Sequence, residues 1–210
     1  MRRLLAFVLA ALLVACGAEL SDDETRLASE IGLDLKLAQA VRARGDGLER
    51  LTGYDQNYDV VDAPGIILLT KPSHGEVELP TVRSLLKGSG FVAYLNDQSF
   101  GFGPDTIAIL KNADPYVYLA IVRINGINYD ISHSDVIKRY RLWEERYGLR
   151  LVGAGFDWLF AEFQKPPESW IEFAHEVYEF CPDVVDQGSG SIEALAQEME
   201  QINGVYLWWD

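Results

Sequence analysis

Short apolar runs, fenced by glycine, proline or polar turn residues, constrain this chain more than any other feature of it. They fall at 65–70, 91–95, 106–110, 149–152, 157–163 and 205–209. Runs of that length are too brief for amphipathic helices and match strands buried in a sheet. The Leu149 and Asp157 runs flank Gly153-Ala154-Gly155 and read as a hairpin. A sheet-forming chain must cover those strands, and the segments between them supply the helices.

Helix start and stop signals recur between the runs. Ser21-x-x-Glu24 has the form of a capping box, with Leu27, Ile31, Leu35, Ala38 and Val41 at helical spacing behind it. One helix is expected over 22–44, stopped by Gly45, either packed on the domain or acting as a stalk. Residues 45–62 are polar and read as a loop or linker, so the globular part is expected to start near 63. A short helix over 80–87 ends at Gly88. Asp114 caps a helix that has Pro115 at its first position and runs to about 124. Ser132 and Asp135 open another that Gly148 stops after Tyr147. Two more follow over 167–180 and 191–202. Helices interspersed with hairpin-like strands give an α+β domain, with a mixed or mostly antiparallel sheet and packed helices.

The chain starts like an exported protein. Arg2 and Arg3 precede an uncharged apolar run over 4–15 that is too short to cross a membrane as a helix. Leu13-Val14-Ala15-Cys16-Gly17 resembles the lipobox of bacterial lipoproteins. The resemblance implies cleavage after residue 15 and lipidation of Cys16. The bland alternatives are cleavage without lipidation, or a retained anchor. Several acyl chains on Cys16 would anchor the domain stably to a membrane. Gly17, which is not Asp, allows the outer membrane if the cell has one. Residues 16–62 then form a tether and 63–210 the exported globular domain.

Charge narrows the partners. The formal net charge of −14 becomes −16 once Arg2 and Arg3 are removed. Such a surface repels nucleic acid and gains nothing from anionic headgroups, whereas it favours encounter with a basic protein.

Chemistry-bearing residues concentrate in Cys181-Pro182-Asp183-Val184-Val185-Asp186-Gln187-Gly188-Ser189-Gly190. Pro182 ends one helix, and Ser189 or Ser191 caps the next. That reading leaves Cys181, Asp183, Asp186 and Gln187 unexplained. They form the candidate ligand site or turn, with Tyr129, Asp130 and Asp210 as residues that converge on it from elsewhere. Cys181 lies at a helix end, where the dipole raises a thiol pKa, and is expected to be buried and inert. With Cys16 lipidated it has no partner for an internal disulfide. His74, His133 and His175 are not spaced as metal ligands, and no nucleotide or hydrolase fingerprint is present. Hence neither a metal nor a cofactor is expected. Trp143, Trp158, Trp170, Trp208 and Trp209 are read as core packing, with a binding cleft as the alternative.

The second half of the chain resembles a bacterial family known as domain of unknown function 4253. The likeness is carried by Asn128-Tyr129-Asp130-Ile131, Trp143-Glu144-Glu145-Arg146-Tyr147-Gly148, Leu151-Val152-Gly153-Ala154-Gly155 and Ile192-Glu193-Ala194-Leu195-Ala196. Its most specific parts are the run from Tyr178 through Cys181-Pro182-Asp183 to Gly188, and the ending Leu207-Trp208-Trp209-Asp210. It covers about 90–210 and implies a C-terminal α/β-type domain with no known activity. The expectation is an uncharacterised envelope lipoprotein that binds without chemistry. The alternative is an enzyme or small-ligand protein using Cys181, Asp183 and Asp186.

Overall fold

The apolar runs pair edge to edge into one sheet. In the computed structural model, which describes residues 19–112 and 114–210, the first half comprises α1 (Asp22–Ile31), α2 (Leu35–Arg42), β1 (Gly47–Tyr54), β2 (Val60–Leu69), α3 (Gly75–Leu86), β3 (Val92–Asp97) and β4 (Thr106–Leu110). The second half comprises α4 (Pro115–Val122), α5 (His133–Tyr147), β5 (Arg150–Ala154), β6 (Trp158–Glu162), α6 (Trp170–Phe180), α7 (Ile192–Ile202) and β7 (Gly204–Trp208). The seven strands lie in the order β1-β2-β4-β3-β5-β6-β7. Every neighbouring pair is antiparallel except β3 and β5, which run parallel. The fold is α+β with a mixed sheet, as the sequence implied. The signal segment over 1–15 and Cys16 lie outside the described residues.

The first sixty residues correct the sequence reading in two places. The helix expected over 22–44 is two helices. Gly32 ends α1 in the left-handed conformation, φ 74°, and the Asp34 side chain caps α2 by accepting from Lys36 and Leu37 N–H. Leu27, Ala38 and Val41 share one core across the break because both helices turn apolar faces to it, whereas Leu35 is exposed. The supposed linker over 45–62 holds β1 and the start of β2, which form an antiparallel hairpin. Polar residues misled there because β1 is a sheet edge that buries only Leu48, Leu51 and Gly53 among its eight residues. A smaller correction concerns α3, which starts at Gly75, five residues ahead of Pro80.

Glu24 ties this segment to the sheet. Its carboxylate accepts from Ser21 N–H at 2.8 Å, Leu48 N–H at 2.9 Å and the Arg42 guanidinium at 2.7 Å. One buried side chain thus joins α1, α2 and β1.

Helices cover both faces of the sheet. The larger core lies on one face among α4, α5, α6 and α7, around Tyr118, Trp143 and Phe173. The smaller lies on the other, where α1 packs on β1 and β2, and α3 on β3 and β4. Strand residues alternate between them: Ile107 and Ile109 face the smaller core, Ala108 and Leu110 the larger.

The parallel join is the narrow point of the sheet. β3 and β5 pair in register only at Leu95 and Gly153, where a Cβ on Gly153 would lie 2.4 Å from Leu95 O. Arg83 of α3 bridges the strands beside that point. Its Nε donates to Ala93 O at 2.9 Å, and its Nη2 to Leu151 O at 3.0 Å and Val152 O at 3.2 Å.

Glu24→Ala would leave the Leu48 N–H and the Arg42 guanidinium without their acceptor. It should destabilise the whole domain by about 2 kcal/mol in one cooperative urea transition. A tether-like segment would leave the midpoint unchanged.

Candidate functional site

Cys181-Pro182-Asp183 is the receptor for the last residues of the sequence. Cys181 follows α6, and Pro182 N-terminally bounds a π-helical turn over Val184–Ser189. The linking turn expected there is therefore helical. Pro182 O accepts from both Val185 and Asp186 N–H, and Gly190, at φ 79°, closes the segment on Val185 O. Ser191 then caps α7.

That geometry aims two side chains at the strand end. The Cys181 thiol donates to Trp208 O at 2.9 Å, and Asp183 Oδ2 accepts from Asp210 N–H at 2.9 Å. Asp183 is fully buried. Its Oδ1 accepts from Gln187 Nε2 at 2.8 Å and from the Tyr129 hydroxyl. Trp209, between them, donates its N–H to Asp157 O at 3.0 Å, and its ring packs edge-on against Phe180. Gly126 permits this seat, because a Cβ there would lie 2.8 Å from the Trp209 ring.

The expected residues divide accordingly. Tyr129, Cys181, Asp183, Gln187 and the Asp210 backbone converge on one latch. Asp186 does not join it: its carboxylate faces outward and accepts from the Tyr178 hydroxyl at 3.1 Å. Asp130 is exposed at φ 59°, closing the 3₁₀ turn over Ile127–Tyr129. Both lie outside the latch.

Electrostatics assign the latch a holding role. Burial pushes the Cys181 thiol up to about 12, further than the bonds to the backbone at Trp208 and Val184 pull it down. It is not poised as a nucleophile. Burial raises Asp183 too, but the bonds from Tyr129, Asp210 N–H and Gln187 outweigh it and hold the carboxyl below its ordinary value. Tyr129 is correspondingly pushed up to about 12, first by its bond to Asp183.

The latch fixes one wall of a cavity of about 600 Å³ on the opposite face of β6 and β7. Its origin is the uneven helix cover. Leu159, Ala161, Val205 and Leu207 point into the larger core, so Trp158, Phe160, Tyr206 and Trp208 point the other way. The helices of that layer pack on β1–β4 and stop short of these strands. Trp158 stacks on Tyr206, ring centroids 5.7 Å apart at 8°, over Gly155, where a Cβ would meet the Trp158 indole at 2.2 Å. Trp158, Tyr206, Trp208 and Phe100 are the aromatic walls; Asp157, Asp210 and Glu76 are the acidic rim. Gln98 ties two sides together, accepting from the Tyr206 hydroxyl at 3.3 Å and donating to Glu76 at 3.0 Å.

Asp157 is the polar centre of that rim. Partial withdrawal from water raises its carboxyl, and Asp210 and Asp97 raise it further. Among the described residues none of Glu76, Asp157 and Asp210 forms an ion pair. The sequence reading missed Asp157, Glu76, Gln98, Phe100 and Tyr206. A usable signal was Trp158 and Tyr206, aromatic residues at alternating positions of two strand-like runs. Of the tryptophans, Trp143 is core, donating to Glu176 at 3.2 Å, and Trp170 packs on Phe163, whereas Trp158 and Trp208 line the cavity. Among the described residues no group of three His, Cys, Asp or Glu side chains is placed to hold a metal ion, and no helix is long and apolar enough to cross a membrane.

A single mixed sheet with helices on both faces and a latched last strand defines an α+β domain. The chain belongs to the family described as Domain of unknown function (DUF4253), whose model matches residues 106–210. The match starts at β4 and contains the whole latch. No curated protein and no solved structure matches the chain.

Asp183→Ala would strand the Tyr129 hydroxyl, the Gln187 amide and the Asp210 N–H. A loss of about 3 kcal/mol is expected in urea unfolding, with a changed tryptophan emission. The lowered carboxyl also sets a pH dependence. Its contribution is whole above the ordinary aspartate value of about 4 and is lost as the pH falls through the lower folded value. In Asp183→Asn that part of the acid slope should be missing. In a Cys16→Ser chain, Cys181 should react with an aromatic disulfide reagent only as fast as the domain opens.

Proposed function

We propose that the protein is a non-enzymatic binding module whose aromatic and acidic cavity accepts a basic side chain of a protein partner. The observation that carries this reading is the set of carboxylates at Asp157, Asp210 and Glu76, uncompensated within the described chain and set against aromatic faces. A guanidinium or ammonium group entering the cavity gains both charge pairing and contact with the ring faces. The net charge of −14 steers such a partner toward the surface. Phe100 and Phe102, 75% and 98% exposed on the loop beside the cavity, extend the contact beyond a single side chain. Of Cys181, Asp183 and Asp186, the groups an enzyme reading would use, the first two are committed to the latch.

The lipobox-like Leu13-Val14-Ala15-Cys16 sets the location within the same proposal: the module is exported and held by acyl chains on Cys16 at an envelope membrane, the outer one where the cell has two. Metabolic labelling with a palmitate analogue should mark the wild-type chain and not Cys16→Ala. A label on both chains, or on neither, would contradict the anchor.

Titration with an arginine-rich peptide should quench tryptophan emission saturably, and rising salt should weaken the binding. Asp157→Asn should reduce the affinity about tenfold, or about 1.4 kcal/mol, while leaving stability equal or higher. Because Asp157 is raised in the free protein, affinity should fall as the pH drops through that raised value. Equal affinity of wild type and Asp157→Asn would reject the cavity as the binding site.

A further inference from the structure

The join between the two halves of the sheet contains a second cavity, of about 510 Å³, with the opposite electrostatic character. The parallel strands β3 and β5 are in register only at Leu95 and Gly153, and the cavity lies beside their N-terminal ends. Phe91, Leu86 and Leu149 give it apolar walls. Two polar groups line it with donors to spare. Arg83 uses Nε and Nη2 on strand carbonyls, and its Nη1 has no hydrogen-bond partner among the described residues. Tyr94 is 6% exposed, and its hydroxyl also has no partner among them, although its ring is stacked on Tyr118 at 4.7 Å and lies under the Arg83 guanidinium.

Among the described residues Arg83 has no carboxylate partner. Glu162 pairs with Arg150, Glu144 accepts from the Tyr116 hydroxyl at 2.5 Å, and neither bonds to Arg83. Burial first, and Arg150 second, bring the Arg83 guanidinium down to about 10. A cation withdrawn from water beside a like charge is stabilised by any anion that reaches it. The cavity is the size of sites that take small organic ligands, and most such sites are apolar with a few placed polar groups.

We infer that this cavity binds a small organic carboxylate with an apolar body, its oxygens accepting from Arg83 Nη1 and the Tyr94 hydroxyl and its body lying against Phe91, Leu86 and Leu149. The site is separate from the acidic cavity, so either can fail alone.

The test is calorimetric titration of the purified full chain with phenylacetate and, as the neutral control, phenylacetamide. Saturable phenylacetate binding is expected, at least tenfold tighter than the amide. Tyr94→Phe, which keeps the ring stack, should weaken it about tenfold with an unchanged unfolding midpoint. Arg83→Lys keeps the charge but loses the forked donors, and should abolish measurable binding. No phenylacetate binding at millimolar concentration would overturn the inference. So would equal affinity for acid and amide, or full affinity in Tyr94→Phe.

Discussion

A single buried carboxylate, Asp183, organises the end of this fold. It has left water entirely and is stable there only because three donors converge on it: the Tyr129 hydroxyl, the Gln187 amide and the Asp210 N–H. Those donors come from a 3₁₀ turn, a π-helical turn and the residues after β7. Each partner fixes the others, because removing one leaves a buried charge short of a bond. The Cys181 thiol on Trp208 O adds a second tie two residues back along the same segment. An edge strand that would otherwise fray is thereby held in register, and Trp208 and Asp210 with it.

The rest of the sheet hangs on a comparably small contact. Four strands lie on one side of the β3–β5 join and three on the other. One register pair, the Arg83 guanidinium and the buried Tyr118 hydroxyl, 2.8 Å from Ala154 O and 3.3 Å from Leu95 O, connect them. A charged side chain does there what ladder hydrogen bonds do elsewhere, satisfying carbonyls of both strands at once. Gly153 is the matching residue on the other side, since any larger one would strike Leu95 O. The glycines of Gly153-Ala154-Gly155 are thus explained by close approach: the first to a neighbouring strand, the last to the Trp158 indole.

Much of this was legible in the sequence, and the parts that were not share a physical reason. Strands buried on both faces announce themselves as apolar runs, as at Thr106–Leu110, and capped helices by their caps, as at Ser132 and Asp135. β1 did not, because an edge strand that buries only isolated residues, Leu48 in one core and Leu51 in the other, is as polar as a loop. The break between α1 and α2 hid behind an apolar period that both helices share. Among the site residues, Tyr129, Asp183, Gln187 and Asp210 could be named but not joined, because the contact spans distant segments: Tyr129 and Asp183 are fifty-four residues apart. The polar groups satisfied internally were visible in the sequence, whereas of the acidic rim only Asp210 was, and Asp157 and Glu76 were not. Asp157 and Glu76 sit in unremarkable local sequence and acquire meaning only when the sheet brings Trp158, Tyr206 and Trp208 beside them.

The latched strand end shapes the acidic, aromatic cavity, and the role proposed for that cavity is to receive a basic group. The most direct measurement is the set of indole N–H resonances of the five tryptophans, followed by NMR during titration with an arginine-rich peptide. The account predicts saturable shifts at Trp158 and Trp208, with Trp143 and Trp170 unmoved. Shifts confined to Trp170, or none at saturating peptide, would contradict it.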